Sequence, residues 1–460
     1  MRAATAAVVA LTLLPAAVLA QRGSEFLANT YTTHAQQHPS VAATAAGFVV
    51  VWESASQDGS SYGVYGQRFT SAPRPAKLGA EFRVNDPTAG PQRFPSAAMD
   101  GSGNFVVVWQ SAPTNTFSNV YGRRFDSSGA ALGAEFRVST FTTNLLTRNP
   151  SVAMASDGRF VVAWRDYLQP SYSIAARRYG SDGSPLGSEF RVNTSTSNMN
   201  YPSAAFAGDG SSFVIAWNDR VYGYYNVFAQ RFTSSGAKLG TEFRVNTFTT
   251  FQYHHNPSVA ADATGNFTVV WQSHIGIGAS DDVFGKRYAS TGAQLGAEFL
   301  VNFAATAGEQ VHPRIASDSS GNLTVVWHQG AGLFDVLAQR FLSTGAPFGA
   351  EFSPEASGVT HTYPTVAASG SAFVVVWAAA YDGVDSASNN GVFGKRYPGP
   401  GDVNGDGVVD IADVFYLINF LFASGPDPVG PGDTSGDGSV DVADAFYLIN
   451  YLFAGGPFPR

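Results

Sequence analysis

Cysteine is absent from this 460-residue chain. No disulfide braces it, and no lipidated cysteine anchors it. Its stability must come from a packed core, from strand pairing and from any metal it holds. Charge is also scarce, at 13% of residues against about 25% in ordinary domains. No basic face is visible, which excludes a nucleic-acid partner. Long apolar runs are missing except at the start, where Arg2 precedes the apolar stretch Ala3 to Leu19 and the small-residue site Val18-Leu19-Ala20. That pattern predicts a signal peptide over residues 1–20 with Gln21 as the mature start, an uncleaved anchor being the alternative. The remaining chain has no segment able to span a bilayer, and the expected location is extracellular or attached at the cell surface.

The net charge of −8 is concentrated at one end. From Gly401 onward there are nine aspartates, no glutamate and a single basic residue, Arg460, so the rest of the chain balances to zero. Aspartate in excess without lysine points to a hard cation.

Tryptophan supplies the main pattern. Trp52, Trp109, Trp164, Trp217, Trp271, Trp327 and Trp377 are spaced 50 to 57 residues apart, each closing an apolar run such as FVVVW or LTVVW. A period of this length marks an array of supersecondary units. One unit, residues 94–139, reads FPSAAMD, GSGNFVVVWQ, VYGRRFD and SSGAALGAEFRVS: four strands separated by glycine-rich turns. The second strand is apolar at every position, as a strand covered on both faces should be. Seven such units predict a mainly β fold, a seven-bladed β-propeller over residues 21–397. The seventh unit ends at Tyr397 without a fourth strand, and Glu25-Phe26-Leu27 is a spare copy of that strand. The N-terminal strand is therefore expected to close the ring, which removes two open sheet edges; an open solenoid is the rival, but it would need atypical capping repeats.

In every unit an arginine of strand three (Arg68, Arg124, Arg178, Arg231, Arg287, Arg340, Arg396) is followed by a glutamate of strand four (from Glu81 to Glu351, with Glu25 for the last). Cross-strand ion pairs that brace each blade are expected, worth about 0.2–1 kcal/mol each. The long connections, after strand four and after the tryptophan, should share one rim. They or their edges carry all eight histidines, His34, His38, His254, His255, His274, His312, His328 and His361, together with Tyr167, Tyr201, Tyr222, Tyr253, Tyr363 and Tyr381. Aromatic rings among neutral hydrogen-bonding groups suit sugar rings, and loops on a rigid scaffold carry function. Histidines also collect in loops by default, and no local spacing marks a histidine metal site.

Catalysis is harder to place. Glycoside hydrolysis needs two carboxylates about 5–9.5 Å apart. The candidates Glu53, Asp58, Asp86, Asp166, Asp219, Asp281, Asp282, Glu309, Glu355, Asp382 and Asp385 come from different units with no pattern that ranks them. The S-x-D-x-G-x-x-W box of sialidase propellers is only approached at Ser156 to Trp164. The catalytic residues are therefore unassigned; an enzyme on this scaffold would be an O-glycosyl hydrolase acting on polysaccharide.

After Pro398-Gly399-Pro400, within a short hinge taken as residues 398–401, one motif occurs twice: DVNGDGVVDIAD from Asp402 and DTSGDGSVDVAD from Asp433. Oxygen side chains stand at loop positions 1, 3, 5, 9 and 12. These are Asp402, Asn404, Asp406, Asp410 and Asp413, then Asp433, Ser435, Asp437, Asp441 and Asp444. Gly407 and Gly438 allow the sharp turn at position 6, and the carbonyls of Val408 and Ser439 complete each shell. This is a calcium-loop arrangement, with aspartate at position 12 where EF-hands have glutamate. Two copies predict two Ca2+ ions.

The paired loops and the FYLINFLF and FYLINYLF helices behind them resemble the type I dockerin family over residues 401–456, which makes 402–460 a small all-α module with repeats at 402–424 and 433–455. The resemblance implies calcium binding and docking onto a cohesin-like module, with recognition at loop positions 10 and 11 and the helix that follows: Ile411, Ala412 and Phe415, and Val442, Ala443 and Phe446. Here positions 10 and 11 are apolar rather than Ser or Thr. The near-identical halves would let the module dock in two orientations related by a half-turn. The helices are apolar nearly all round, so packing against each other leaves a patch that needs a partner. The GAEFRVN…VVVW…RF units are similar to uncharacterised secreted bacterial propeller proteins. The resulting expectation is a secreted, calcium-dependent docking protein with a propeller head for carbohydrate or another ligand. A polysaccharide-degrading enzyme and a structural surface protein are the alternatives.

Overall fold

The computed structural model describes residues 25–460, apart from residues 73, 87–88, 115–116, 141–146, 169–170, 196–197, 222–223, 248–251, 276–279, 305–307, 331–334, 355–359, 381–389, 406–408, 436–438, 457–458 and 460. The expected signal segment lies outside the described residues. Seven four-stranded antiparallel sheets follow one another, each built from consecutive strands except the last. Blade one spans Gln36–Thr44, Gly47–Ala55, Tyr62–Thr70 and Lys77–Arg83; blade six spans Glu309–Ser317, Leu323–Gly330, Asp335–Phe341 and Pro347–Phe352. Blade seven takes its outer strand from the N-terminus: Phe26 pairs with Gly394 and Leu27 with Phe393. This is a seven-bladed propeller closed by its N-terminal strand.

The first strand of each blade touches the first strands of both neighbours, and the ring closes between Gln36–Thr44 and His361–Ser369. These innermost strands therefore surround a central channel. The second strands are buried on both faces, and all seven tryptophans are at most 1% exposed. Each hydrophobic cluster bridges two adjacent blades; Phe48, Val50 and Trp52 of blade one, for example, pack on Val374 and Val376 of blade seven. The apolar runs are thus the cement between blades. Indole N–H groups of Trp52, Trp109 and Trp327 donate to Gln36, Gln92 and Gln310 on the adjoining first strands, which satisfies a polar atom that burial would otherwise penalise.

In blades one to three the arginine and the glutamate of the expected pairs take other partners. The two side chains leave the blade on opposite faces. Arg68 donates to the carbonyls of Ser127 and Ser128 in the next blade, and Arg124 to those of Ser181 and Asp182. Glu135 accepts from the backbone N–H of Asp86 in the preceding blade at 3.0 Å, and Glu189 from Thr140 at 2.9 Å. Both residues brace blade to blade, through backbone partners.

Two thirteen-residue helices close the chain, α1 (Ile411–Ala423) and α2 (Val442–Ala454). Each begins with a reciprocal capping box, Asp410 with Asp413 and Asp441 with Asp444, and such a box satisfies two otherwise orphaned N–H groups. Their shared core is small: Val403, Val414, Leu417, Ala445 and Leu448. The connection from the propeller is buried from Pro398 to Val403. A Cβ added at Gly430 would lie 1.7 Å from the carbonyl oxygen of Asp402, so only glycine permits this approach. Arg396, the strand-three arginine of blade seven, reaches the carbonyl of Gly405 at 3.4 Å and so ties the propeller to the first loop of the C-terminal region.

Candidate functional site

A left-handed residue stands at the same place on all seven inner strands. His38, Phe94, Asn149, Tyr201, Asn256, His312 and Tyr363 have φ between 48° and 54°, and each precedes the proline that marks strand one. A side chain other than glycine rarely adopts this conformation. Each coincides with a shift in the register between strands one and two. Such bulges re-aim a side chain, and here they do so around one end of the channel. In three blades the bulge N–H is received by the side chain that follows the tryptophan of the preceding blade. Phe94 donates to Glu53 Oε2 at 3.1 Å, His312 to Gln272 Oε1 at 3.3 Å and Tyr363 to His328 Nε2 at 2.6 Å.

One arc of this ring brings the expected aromatic and histidine residues together. The His38 ring lies 4.0 Å from Tyr363 and 4.7 Å from Phe94. His312 lies 5.3 Å from His328 and 6.2 Å from Tyr363. Under His38, the fully buried Glu53 meets His38 Nδ1 at 2.6 Å and Arg93 Nη2 at 2.8 Å. The Arg93 guanidinium also stacks 4.4 Å over Tyr62. Burial alone would push Glu53 up, but the His38 and Arg93 partners win and hold it below 4.5. It stays ionised and is not a proton donor near neutrality. Burial, with Arg314, His38 and His255 nearby, pulls His312 down to about 4. Burial also takes His328 well below 6.5, helped by His312 and Arg314. Both histidines are therefore neutral at pH 7.

A second cluster sits on blade five. His274 Nδ1 meets Asp281 at 2.7 Å and His254 Nδ1 meets Ser273 Oγ at 2.9 Å, while His255 packs 4.7 Å from Tyr225. Most of the histidines expected on loops thus lie on strand ends, because strands one and two run past the blade body to the rim. Tyr222, Tyr381, Glu355, Asp382 and Asp385 lie outside the described residues. The carboxylates Asp166 and Asp219 are buried on blades three and four, apart from the Glu53 arc. The bulge ring was not anticipated, yet its signal is in the sequence: a proline fixed in every unit, preceded by a residue that varies.

His312 offers a test of this packing. Its neutral form stabilises the fold fully above pH 6.5, and that stability is lost as pH falls towards about 4, where the unfolded chain takes up a proton and the folded chain does not. His312→Asn copies the residue of blades three and five. Its melting temperature should fall less than the parent's across that interval; parallel curves would show that His312 does not titrate this way.

The C-terminal loops are built around their last aspartates. Asp413 accepts from the N–H of Asn404 and of Asp410, both at 2.9 Å. Asp444 accepts from Ser435 at 2.9 Å and Asp441 at 2.8 Å. Asp402, Asp413 and Asp444 are fully buried. Burial pushes Asp444 up, and the charge of Asp433 adds to this. Oxygen donors alone, with like charges brought together in a low-dielectric site, fit a hard divalent cation that would neutralise them. Asp406, Val408 and Asp437 lie outside the described residues; Asn404, Asp410, Asp433, Ser435, Ser439 and Asp441 stand on the described parts of the loops. Among the described residues no helix is long and apolar enough to cross a membrane.

The helices leave twin apolar stripes uncovered, and the propeller does not mask them. Phe415 and Phe422 are 63% and 69% exposed, and Phe446 and Phe453 are 65% and 68% exposed. Ile411, Ala412 and Ile418 complete the first stripe; Val442, Ala443 and Ile449 complete the second. The expected partner residues all lie on these stripes, which run on through Ile418 and Phe422 and through Ile449 and Phe453.

No curated protein matches the chain. Solved structures share its fold. A polysaccharide lyase has a TM-score of 0.51 at 8% identity, covering 82% of this chain and 99% of its own. An ulvan lyase bound to a saccharide has a TM-score of 0.50 at 10% identity, covering 79% and 95%. A protein of unknown function from Dyadobacter fermentans has a TM-score of 0.49 at 10% identity, covering 81% and 97%. At these identities the likeness is one of fold. The C-terminal segment is matched by sequence: residues 400–453 form a dockerin type I domain, a calcium-binding domain whose presence implies docking onto a cohesin.

Proposed function

We propose that this chain is an exported docking protein. Its dockerin holds two calcium ions and attaches it to a cohesin-like module through the twin stripes, and its propeller binds a saccharide at the channel mouth. The observation that carries the docking half is the pair of exposed phenylalanine–isoleucine stripes on a domain whose loops are built for a cation. Four phenylalanines more than 60% exposed make a patch that a monomer rarely leaves open. Near-identical helices support docking in either of two orientations. In the first loop Asp402, Asn404, Asp406, Asp410 and Asp413 with the Val408 carbonyl would hold one ion. In the second Asp433, Ser435, Asp437, Asp441 and Asp444 with the Ser439 carbonyl would hold the other. Ordering each loop would set the entry angle of its helix.

Phe415→Glu alone should weaken capture on a panel of immobilised cohesins only slightly, because the second stripe still serves. Phe415→Glu with Phe446→Glu should abolish it without altering the melting temperature. Unchanged capture by the double variant would remove the stripes from the interface.

For the head, His38, Phe94, Tyr363, His312 and His328 put aromatic faces and neutral hydrogen-bonding groups on one rim, a combination suited to sugar rings. Binding to a glycan array tests it. A second reading, a polysaccharide-degrading enzyme, draws support from the grouping of His312, His328 and Tyr363 at the rim, where burial nevertheless makes both histidines weak bases. Release of reducing ends from plant and microbial polysaccharides would favour that reading over a binding head.

A further inference from the structure

One side chain breaks the seven-fold pattern of the channel. The residue after the bulge proline is serine in blades one to five. Its hydroxyl accepts a backbone N–H from the next blade: Ala97 donates to Ser40 and Val152 to Ser96, at 3.1 and 3.2 Å, and the pattern continues to Ile315 on Ser258 at 3.3 Å. In blade six this residue is Arg314. The series of inter-blade serine bonds stops there, and a guanidinium takes the place of the hydroxyl.

Arg314 is open to solvent although it lies on an innermost strand. Protein nevertheless surrounds it closely enough for burial to pull its pKa down. A water-filled channel accounts for both properties. Its Nη1 donates to the carbonyl of Pro313 at 3.0 Å. Among the described residues no carboxylate forms an ion pair with it, and the histidines beside it, His312 and His328, bring no negative charge. An enclosed cation without a counter-charge is costly to keep. The same position in five other blades holds serine, so the fold does not need the charge.

We propose that Arg314 is an anion anchor, and that the ligand of the channel mouth is an acidic saccharide whose carboxylate or sulfate reaches this guanidinium. A guanidinium presents forked donors matched to either group. The rings of His38, His312 and Tyr363 stand around the same stretch of channel and supply the surface for the sugar ring. This proposal rests on the saccharide reading of the head and narrows it to one class.

The test uses the full chain, with Arg314→Ser and Arg314→Lys as variants. The serine restores the residue of blades one to five, so folding is preserved, and its melting temperature should equal or exceed the parent's. Titration calorimetry at fixed ionic strength uses an oligogalacturonate, a sulfated oligosaccharide, a neutral oligosaccharide of equal length, and sodium acetate or sulfate alone. At least one acidic oligosaccharide should bind, with the neutral one about tenfold weaker or more. Arg314→Ser should lose about tenfold in affinity for the acidic ligand, and Arg314→Lys should retain part of it. Equal binding of the acidic ligand by parent and Arg314→Ser overturns the anchor. Equal binding of neutral and acidic oligosaccharides also overturns it but leaves the saccharide head standing. Arginine-dependent binding of the simple anions with no gain from a sugar overturns the saccharide class, and the saccharide reading of the head falls with it. Binding of none of these probes overturns both.

Discussion

Chelating calcium from the full chain is expected to unfold the C-terminal domain and leave the propeller intact. The reason is the size of its core. Helices of thirteen residues are marginal in water without support, and here the support is five buried side chains, Val403, Val414, Leu417, Ala445 and Leu448. A domain of this size cannot bury enough apolar surface to fold securely without another contribution. The loops then add a cost. Asp444 is buried beside the charge of Asp433, and Asp402 and Asp413 are buried in the first loop. A cation reverses that balance: at a hundredfold excess over its dissociation constant, each bound ion adds about 2.7 kcal/mol. Calorimetry should therefore resolve two transitions, of which only the smaller moves with calcium. Asp413→Ala with Asp444→Ala should remove the calcium response altogether. These residues also tie Asn404, Asp410, Ser435 and Asp441 in place, so the double variant should lack the smaller transition even with calcium present. A thermogram identical with and without chelator would refute the metal as the source of folding. If the larger transition moved as well, the buried connection at Pro398–Val403 and the bond from Arg396 to Gly405 would be carrying the effect into blade seven.

Removing the first strand should damage the propeller more than any single substitution on its rim. In a chain lacking residues 25–29 the two-residue pairing with blade seven is gone, along with the bond from Ala28 N–H to Val392 O at 2.7 Å and that from Val392 N–H to Asn29 Oδ1 at 2.8 Å. The ring of Phe26 covers Gly394, where a Cβ would meet it at 2.5 Å, and packs 4.7 Å from Phe69 of blade one. Phe26 is half-buried, so its loss should cost part of the about 3–5 kcal/mol of a fully buried phenylalanine. Asn390–Tyr397 would then become an open edge strand, which invites pairing between chains. The truncated chain should melt several degrees lower, since each kcal/mol shifts the midpoint by about 1–2 °C in a domain of this size, and should aggregate on heating. Asn29→Ala should cost only about 1 kcal/mol. A truncated chain that remains monomeric with the parent's melting temperature would mean that blade seven is held by its neighbours and not by closure.

The architecture was legible because it is repeated. Seven tryptophan-terminated runs, seven strand-one prolines and an orphan Glu25-Phe26-Leu27 determine the blade count and the closure without any knowledge of contacts. The dockerin segment was equally legible, since its paired aspartate loops each lie within one short stretch of chain and spacing alone marks them. Other features depend on direction, which a one-dimensional pattern does not record. Arg124 and Glu135 are eleven residues apart across a hairpin and look like partners, but they leave the blade on opposite faces and bond to different neighbours. His38, His312 and Tyr363 are separated by up to 325 positions in the chain, and only ring closure and the left-handed bulges bring them to one rim. Periodicity in the sequence therefore specifies what each unit is. What the units build together at the channel depends on how the blades wind round a common axis, because side chains from different blades meet only there.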